Sequence, residues 1–143
     1  MGSRLGVAVV VMALAATALV TGCEGGKDTE SVSEVPCDDA AFRGQDEELY
    51  VAQATIANAT GGGGDPATLL LDLRRGRAAL AGYVEKHPPC DSALQEIAAS
   101  ETEAVVAIDK AIAAIEDRSD PAVSLRRALK LLESAQADLA QSP

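Results

Sequence analysis

The side chains that could act as nucleophiles, bases or metal ligands are few in this sequence, and they are not clustered along it. His87 is the one histidine, and no serine stands in a motif that would bring a general base beside it. No glutamate precedes His87 by three residues, as in di-iron helical bundles. Gly61-Gly62-Gly63-Gly64 lacks the Lys-Ser or Lys-Thr of a phosphate-binding loop. We therefore predict no catalytic, cofactor-binding or metal-binding residues and no enzyme activity.

Two charged side chains, Arg77 and Glu101, stand where the spacing of apolar residues predicts a buried helical face. Each lies about ten residues from the turn expected near His87, so two antiparallel helices would place them side by side. We predict a bidentate ion pair in or near the core, and the alternative is that both side chains reach outward to water. A polar layer that recognises a ligand would need a further residue, for which Gln45 and Asp46 are the candidates.

The first 23 residues have the organisation of an export signal. Arg4 precedes an uncharged apolar run at residues 5–20, which is short for the roughly 20 residues of a membrane-spanning helix. Val20-Thr21-Gly22-Cys23 then resembles the lipobox of bacterial lipoprotein precursors. The resemblance implies that the Cys23 thiol receives a diacylglyceryl group, and that signal peptidase II removes residues 1–22. Lipid on Cys23 would then hold the protein to the cell membrane on its extracytoplasmic side.

The residues that follow the lipobox are predicted to form a flexible tether. Residues 23–36 lack apolar periodicity and are rich in glycine, serine and acidic side chains. Fully extended, such a segment reaches at most about 45 Å. We therefore expect the folded domain, residues 37–143, to stand clear of the membrane surface.

Cys37 and Cys90 remain once Cys23 carries lipid, and an even pair in an exported domain indicates a disulfide. Both cysteines precede helices that are expected to run in the same direction, so both should lie at the same end of the fold. A bridge that closes about fifty residues would stabilise the domain by up to about 4 kcal/mol. A redox or metal-binding pair is the alternative, but the CxxC spacing of such sites is absent.

The net charge of the chain is −10, and removal of residues 1–22, whose only charged side chain is Arg4, leaves −11. This charge argues against nucleic-acid binding and against electrostatic attachment to an anionic bilayer. The two basic clusters are Arg74-Arg75 with Arg77, and Arg126-Arg127 with Lys130. We expect acidic neighbouring helices to pair with them, and an anion or partner site there is the alternative.

Aromatic residues make up only 2% of the sequence, so its core must be built from Ala, Leu, Val and Ile. No segment has the alternating pattern of a strand, and apolar residues recur with helical spacing. Glycine, proline and helix-capping aspartate divide the chain into four predicted helices. They run from about Asp38 to Thr60, from Asp65-Pro66 to His87, from Asp91 to Asp117, and from Asp120-Pro121 to Gln141.

Short connections favour an antiparallel, up-down-up-down four-helix bundle, so the predicted fold is all-α with one disulfide. Pro-Cys-Asp precedes the first and third helices and Asp-Pro opens the second and fourth, which suggests two hairpins in tandem. From these features we expect a lipid-anchored binding or structural module with an envelope protein as partner. The alternative is a lipoprotein that binds a small ligand or a metal inside the bundle.

Overall fold

The structure is a computed structural model that describes residues 35–62 and 64–142. The predicted signal peptide, Cys23 and the tether up to residue 34 lie outside the described residues. Within the described part the chain is all-helical and has no strand. Its helices are α1 (Asp39–Arg43), α2 (Asp46–Thr60), α3 (Pro66–Lys86), α4 (Ser92–Glu116) and α5 (Ala122–Gln141). Because α1 is a single short turn, the predicted fold class of four principal helices is confirmed.

The first predicted helix is not continuous, because Gly44-Gln45 separates α1 from α2. In an unbroken helix the Ala41 carbonyl would accept a hydrogen bond from the Gln45 amide. It instead accepts from the Gly44 amide at 2.9 Å and from the Tyr83 hydroxyl of α3 at 2.6 Å. Burial, and then the negative charges of acidic neighbours, raise the pKa of Tyr83, which keeps this hydroxyl protonated as a donor. The break therefore depends on a contact from another helix.

The starts of the long helices follow the capping rules to different degrees. The Asp65 side chain accepts from the Thr68 amide with Pro66 in the first turn, as the sequence predicts. The α4 helix likewise begins after Asp91, whose side chain accepts from two amides. The α5 helix differs, because Pro121 is its N-cap and Asp120 accepts from the Ala122 amide instead. The expectation that α5 begins with the same cap as α3 was therefore wrong.

The helices pack around two apolar clusters, a larger one among the four long helices and a smaller one around Phe42. The closest contacts join α2 to α3 and α5, and α4 to α3 and α5. The buried large apolar side chains come from the predicted stripes: Phe42, Leu49, Ile56, Leu73, Leu80, Leu94, Ile97, Ile108, Ile112, Leu125 and Leu132. Alanines fill the space between them, and this is why a core without tryptophan can pack closely.

The α2 and α3 helices approach closely at Gly76, which is buried. A Cβ atom at this position would lie 2.5 Å from the Thr55 hydroxyl oxygen and 3.3 Å from the Ala52 Cα atom. A side chain at residue 76 would therefore push the two helices apart. Gly82, in the same helix, has open space around the corresponding position.

Candidate functional site

Cys37 and Cys90 form a disulfide with a Cα–Cα distance of 5.3 Å, which confirms the predicted bridge. The two cap segments that carry the cysteines are also joined by hydrogen bonds. The Asp38 amide donates to the Pro88 carbonyl at 2.9 Å, and the Cys90 amide donates to the Asp39 carboxylate at 2.6 Å. The bridge thus ties the start of α1 to the connection between α3 and α4.

The predicted ion pair between Arg77 and Glu101 is not formed, so that prediction was wrong. Arg77 binds Asp109 of α4 in a bidentate pair, with Nε–Oδ1 and Nη2–Oδ2 distances of 2.9 and 3.2 Å. Both partners are partly exposed, and Asp109 raises the pKa of Arg77. Glu101 is fully buried, and neither of its carboxyl oxygens has a hydrogen-bond partner among the described residues.

The error lies in the register of α3 against α4. Arg77 is level with Asp109, which is eight residues beyond Glu101 and therefore about 12 Å farther along the helix. The prediction assumed a tight turn at His87, with α4 beginning at the height where α3 ends. Residues 87–91 instead extend along the segment at Cys37, and the first turns of α4 pack against Phe42.

Glu101 lies beside Gln45, and together they form a polar pair inside the apolar core. Both side chains are 0% exposed, and all four of their polar side-chain atoms lack a hydrogen-bond partner within the described residues. Burial raises the pKa of Glu101 to about 8, while the adjacent Gln45 side chain opposes this rise. Gln45 was one of two sequence candidates for such a layer, whereas Asp46, the other candidate, is exposed.

The break between α1 and α2 explains why Gln45 is buried. Its backbone leaves the helical conformation of α1 after Gly44 and begins α2, and its side chain is enclosed at this junction. A carboxyl and an amide in this position can bind hydrogen-bonding groups, and the carboxyl can titrate near neutral pH.

A small pocket of about 220 Å³ opens between α3 and α4 on the side of Glu101. The surface that lines it is almost entirely apolar, although Glu85, Glu101 and Thr102 belong to the lining. Glu85 is exposed at the rim, and Glu101 belongs to the buried floor. The full lining is Ala81, Val84, Glu85, Glu101, Thr102 and Val105.

A second groove, of about 290 Å³, lies between α4 and α5. Val106 and Val123 line it and are 49% and 70% exposed, although both are apolar. Glu103, Lys110 and Arg127 surround them with charge. This groove therefore combines exposed apolar surface with a charged rim.

Part of each basic cluster pairs with acidic side chains of a neighbouring helix, as expected, whereas Arg75 approaches Asp72 within α3. Arg74 and Arg77 of α3 bind Glu116 and Asp109 of α4, and Arg127 of α5 approaches Glu103 of α4 at 3.3 Å. These pairs are exposed, so each contributes at most about 1 kcal/mol to stability. Their main effect is on which helix faces align.

His87 and the acidic side chains were the other residues considered as possible ligands. His87 ends α3, and its ring lies 4.7 Å from that of Tyr83. Across residues 35–62 and 64–142, no three side chains of His, Cys, Asp or Glu come together as a metal site would require. No helix in the same part of the chain has the length and apolar character needed to span a bilayer.

No protein-family model, curated protein or solved structure matches this chain.

Proposed function

We propose that this chain is a lipid-anchored, extracytoplasmic helical bundle that serves as a binding or structural module at the bacterial cell envelope. The sequence supports its location, because Val20-Thr21-Gly22-Cys23 resembles a lipobox. Lipid on Cys23 would supply the contact with the membrane, and residues 23–36 would supply the tether. The charge of the mature chain, −11 without residues 1–22, argues against nucleic acid as a partner.

The long helices are proposed to run up-down-up-down. The ion pairs between α3 and α4 support this order, since Arg74 binds Glu116 whereas Arg77 binds Asp109. Residue numbers thus rise along one helix as they fall along its neighbour. Short connections favour the same relation for the other consecutive helices.

The exposed groove between α4 and α5 is the observation that favours binding at the surface. The core of the described structure is filled with apolar side chains, whereas Val106 and Val123 remain exposed on the outside. Exposed apolar side chains within a charged rim are typical of surfaces that bind other proteins. We therefore propose that an envelope protein binds this groove. A small-ligand role is the second candidate, and the unpartnered Gln45 and Glu101 side chains favour it.

Photo-crosslinking in cells tests partner binding at this groove. A photoreactive amino acid placed at Val123 of the full chain should give a discrete protein adduct. The same group at Leu71, which is also apolar and is 53% exposed on α3, should give none. Adding Val106→Asp should abolish the Val123 adduct, because it places a charge on the apolar wall.

Two outcomes of this experiment would contradict the proposal. Equal adducts from Val123 and Leu71, or no adduct from either position, would contradict a partner site between α4 and α5. Repeating the Val123 experiment with Cys23→Ala separates anchoring from recognition. An unchanged adduct would show that the anchor does not determine partner choice.

A further inference from the structure

The pocket between α3 and α4 has apolar walls, and its ionisable side chains all carry the same sign of charge. Ala81, Val84 and Val105 supply apolar walls. The two ionisable side chains of the lining, Glu85 and Glu101, are both acidic, and no basic residue of the described chain lines the pocket. An aliphatic molecule with a positive charge matches this combination.

Glu101 distinguishes this pocket from an ordinary surface groove. Its side chain is fully buried, yet neither carboxyl oxygen accepts a hydrogen bond from another described residue. Gln45 lies beside it at the junction of α1 and α2, and its side chain is the one polar neighbour that affects the pKa of Glu101. Most buried polar groups in folded proteins have partners, so an unsatisfied carboxyl in a pocket indicates a missing donor.

We propose that this pocket binds a small aliphatic amine in its ammonium form. The alkyl chain would contact Ala81, Val84 and Val105, and the ammonium group would donate hydrogen bonds to the Glu101 carboxylate. An ammonium group has three donors and no acceptor, and it forms stronger hydrogen bonds with an ionised carboxylate than a neutral hydroxyl does. Glu85 at the rim would favour the approach of a cation.

Binding requires two local changes at Glu101. Its oxygens have no contact with water, so the side chains around the carboxyl must shift to admit the ammonium group. Burial also keeps a proton on much of Glu101 at neutral pH, since its pKa is raised to about 8. That proton passes to solvent when the ammonium binds, and the ligand keeps its own charge.

This inference goes beyond the proposed partner binding and uses a different face of the bundle. Partner binding is assigned to the groove between α4 and α5, whereas the amine pocket lies between α3 and α4. Either proposal can therefore fail while the other stands.

The test compares n-butylammonium with 1-butanol, which has the same alkyl chain and no charge. The full chain is isotopically labelled, held in mild detergent at pH 8 and followed by NMR at the methyl groups of Ala81, Val84 and Val105. We expect saturable shifts with n-butylammonium and an affinity for 1-butanol that is lower by about tenfold. Equal affinities, tighter binding of 1-butanol, or no saturable shift with n-butylammonium would overturn the proposal.

A matched pair of variants then tests the role of the carboxylate. Glu101→Gln keeps the shape of the side chain and removes its charge, so n-butylammonium should bind this variant no better than 1-butanol does. Glu96→Gln removes an exposed carboxyl from the same helix and should leave both affinities unchanged. Retained preference for the ammonium in Glu101→Gln would show that Glu101 is not its partner.

Discussion

Glu101 and Gln45 are the two buried polar side chains of the described core, and their burial gives the fold a dependence on pH. Transfer of a carboxyl from water to an apolar interior disfavours its charged form. Burial accordingly raises the pKa of Glu101 from its ordinary value of 4.5 to about 8. The folded state therefore holds a proton that the unfolded state releases between these two pH values.

The sign of this effect on stability follows from the proton count. The contribution of Glu101 is fully present below about pH 4.5 and is lost as pH rises toward 8. The amide in Glu101→Gln has no proton to lose. The free energy of unfolding of this variant should therefore rise relative to that of the wild type over this pH interval. The gain should approach about 5 kcal/mol above pH 8.

Chemical unfolding at a series of pH values measures this difference directly. Glu96→Gln is the control, because it removes an exposed carboxyl from α4 and should follow the wild-type pH dependence. A constant difference between Glu101→Gln and the wild type from pH 4.5 to 8 would contradict a buried, protonated Glu101.

The sequence predicted some of these residues and not their partners. Arg77 and Glu101 were both recognisable as charges on apolar stripes, but their pairing depended on how far residues 87–91 extend along the bundle. Helical spacing carries no information on that shift. Gln45 was one of two candidates to complete a polar layer, yet its burial depends on the break between α1 and α2.

At the scale of the helix, the main constraint is the close approach of α2 and α3 at Gly76. Alanine favours a helix over glycine by up to about 1 kcal/mol when nothing opposes its methyl group. At Gly76 that methyl group would press on Thr55 and Ala52 of α2. At Gly82 it would meet open space. The same substitution should therefore have opposite effects at these two positions.

We expect Gly82→Ala to raise the free energy of unfolding by up to about 1 kcal/mol. We expect Gly76→Ala to lower it by about 1 kcal/mol, because the cost of overpacking exceeds the gain in helix propensity. Chemical unfolding of the two variants at one pH checks both values. Equal stabilisation by the two substitutions would show that α2 and α3 do not approach closely at Gly76.

Helix existence could be predicted from local chemistry, whereas helix continuity could not. Asp65-Pro66 and Asp91 identified the starts of α3 and α4, because capping depends on residues that are neighbours in sequence. The division of the first predicted helix depends on the Tyr83 hydroxyl, which reaches Ala41 from 42 residues away. Such a contact leaves no local signal in the sequence.

At the scale of the whole molecule, the three cysteines serve two purposes. Two of them form a disulfide, and the third is the proposed site of lipid. The Cys37–Cys90 bridge spans a sequence separation of 53 residues, and loop closure of this length stabilises a fold by about 4 kcal/mol. It joins the segment before α1 to the connection between α3 and α4. Cys23 is proposed to carry the lipid that fixes this bundle at the membrane, where its grooves would meet their ligands.

The mass of the mature protein tests the lipid-anchored state most directly. Protein extracted from the membranes of an expressing bacterium should begin at Cys23, lack residues 1–22 and carry the added mass of a diacylglyceryl group on the Cys23 thiol. Cys23→Ala should lack that added mass and should no longer be held in membranes by lipid. A wild-type chain that retains residues 1–22, or that begins at Cys23 without lipid, would contradict the account.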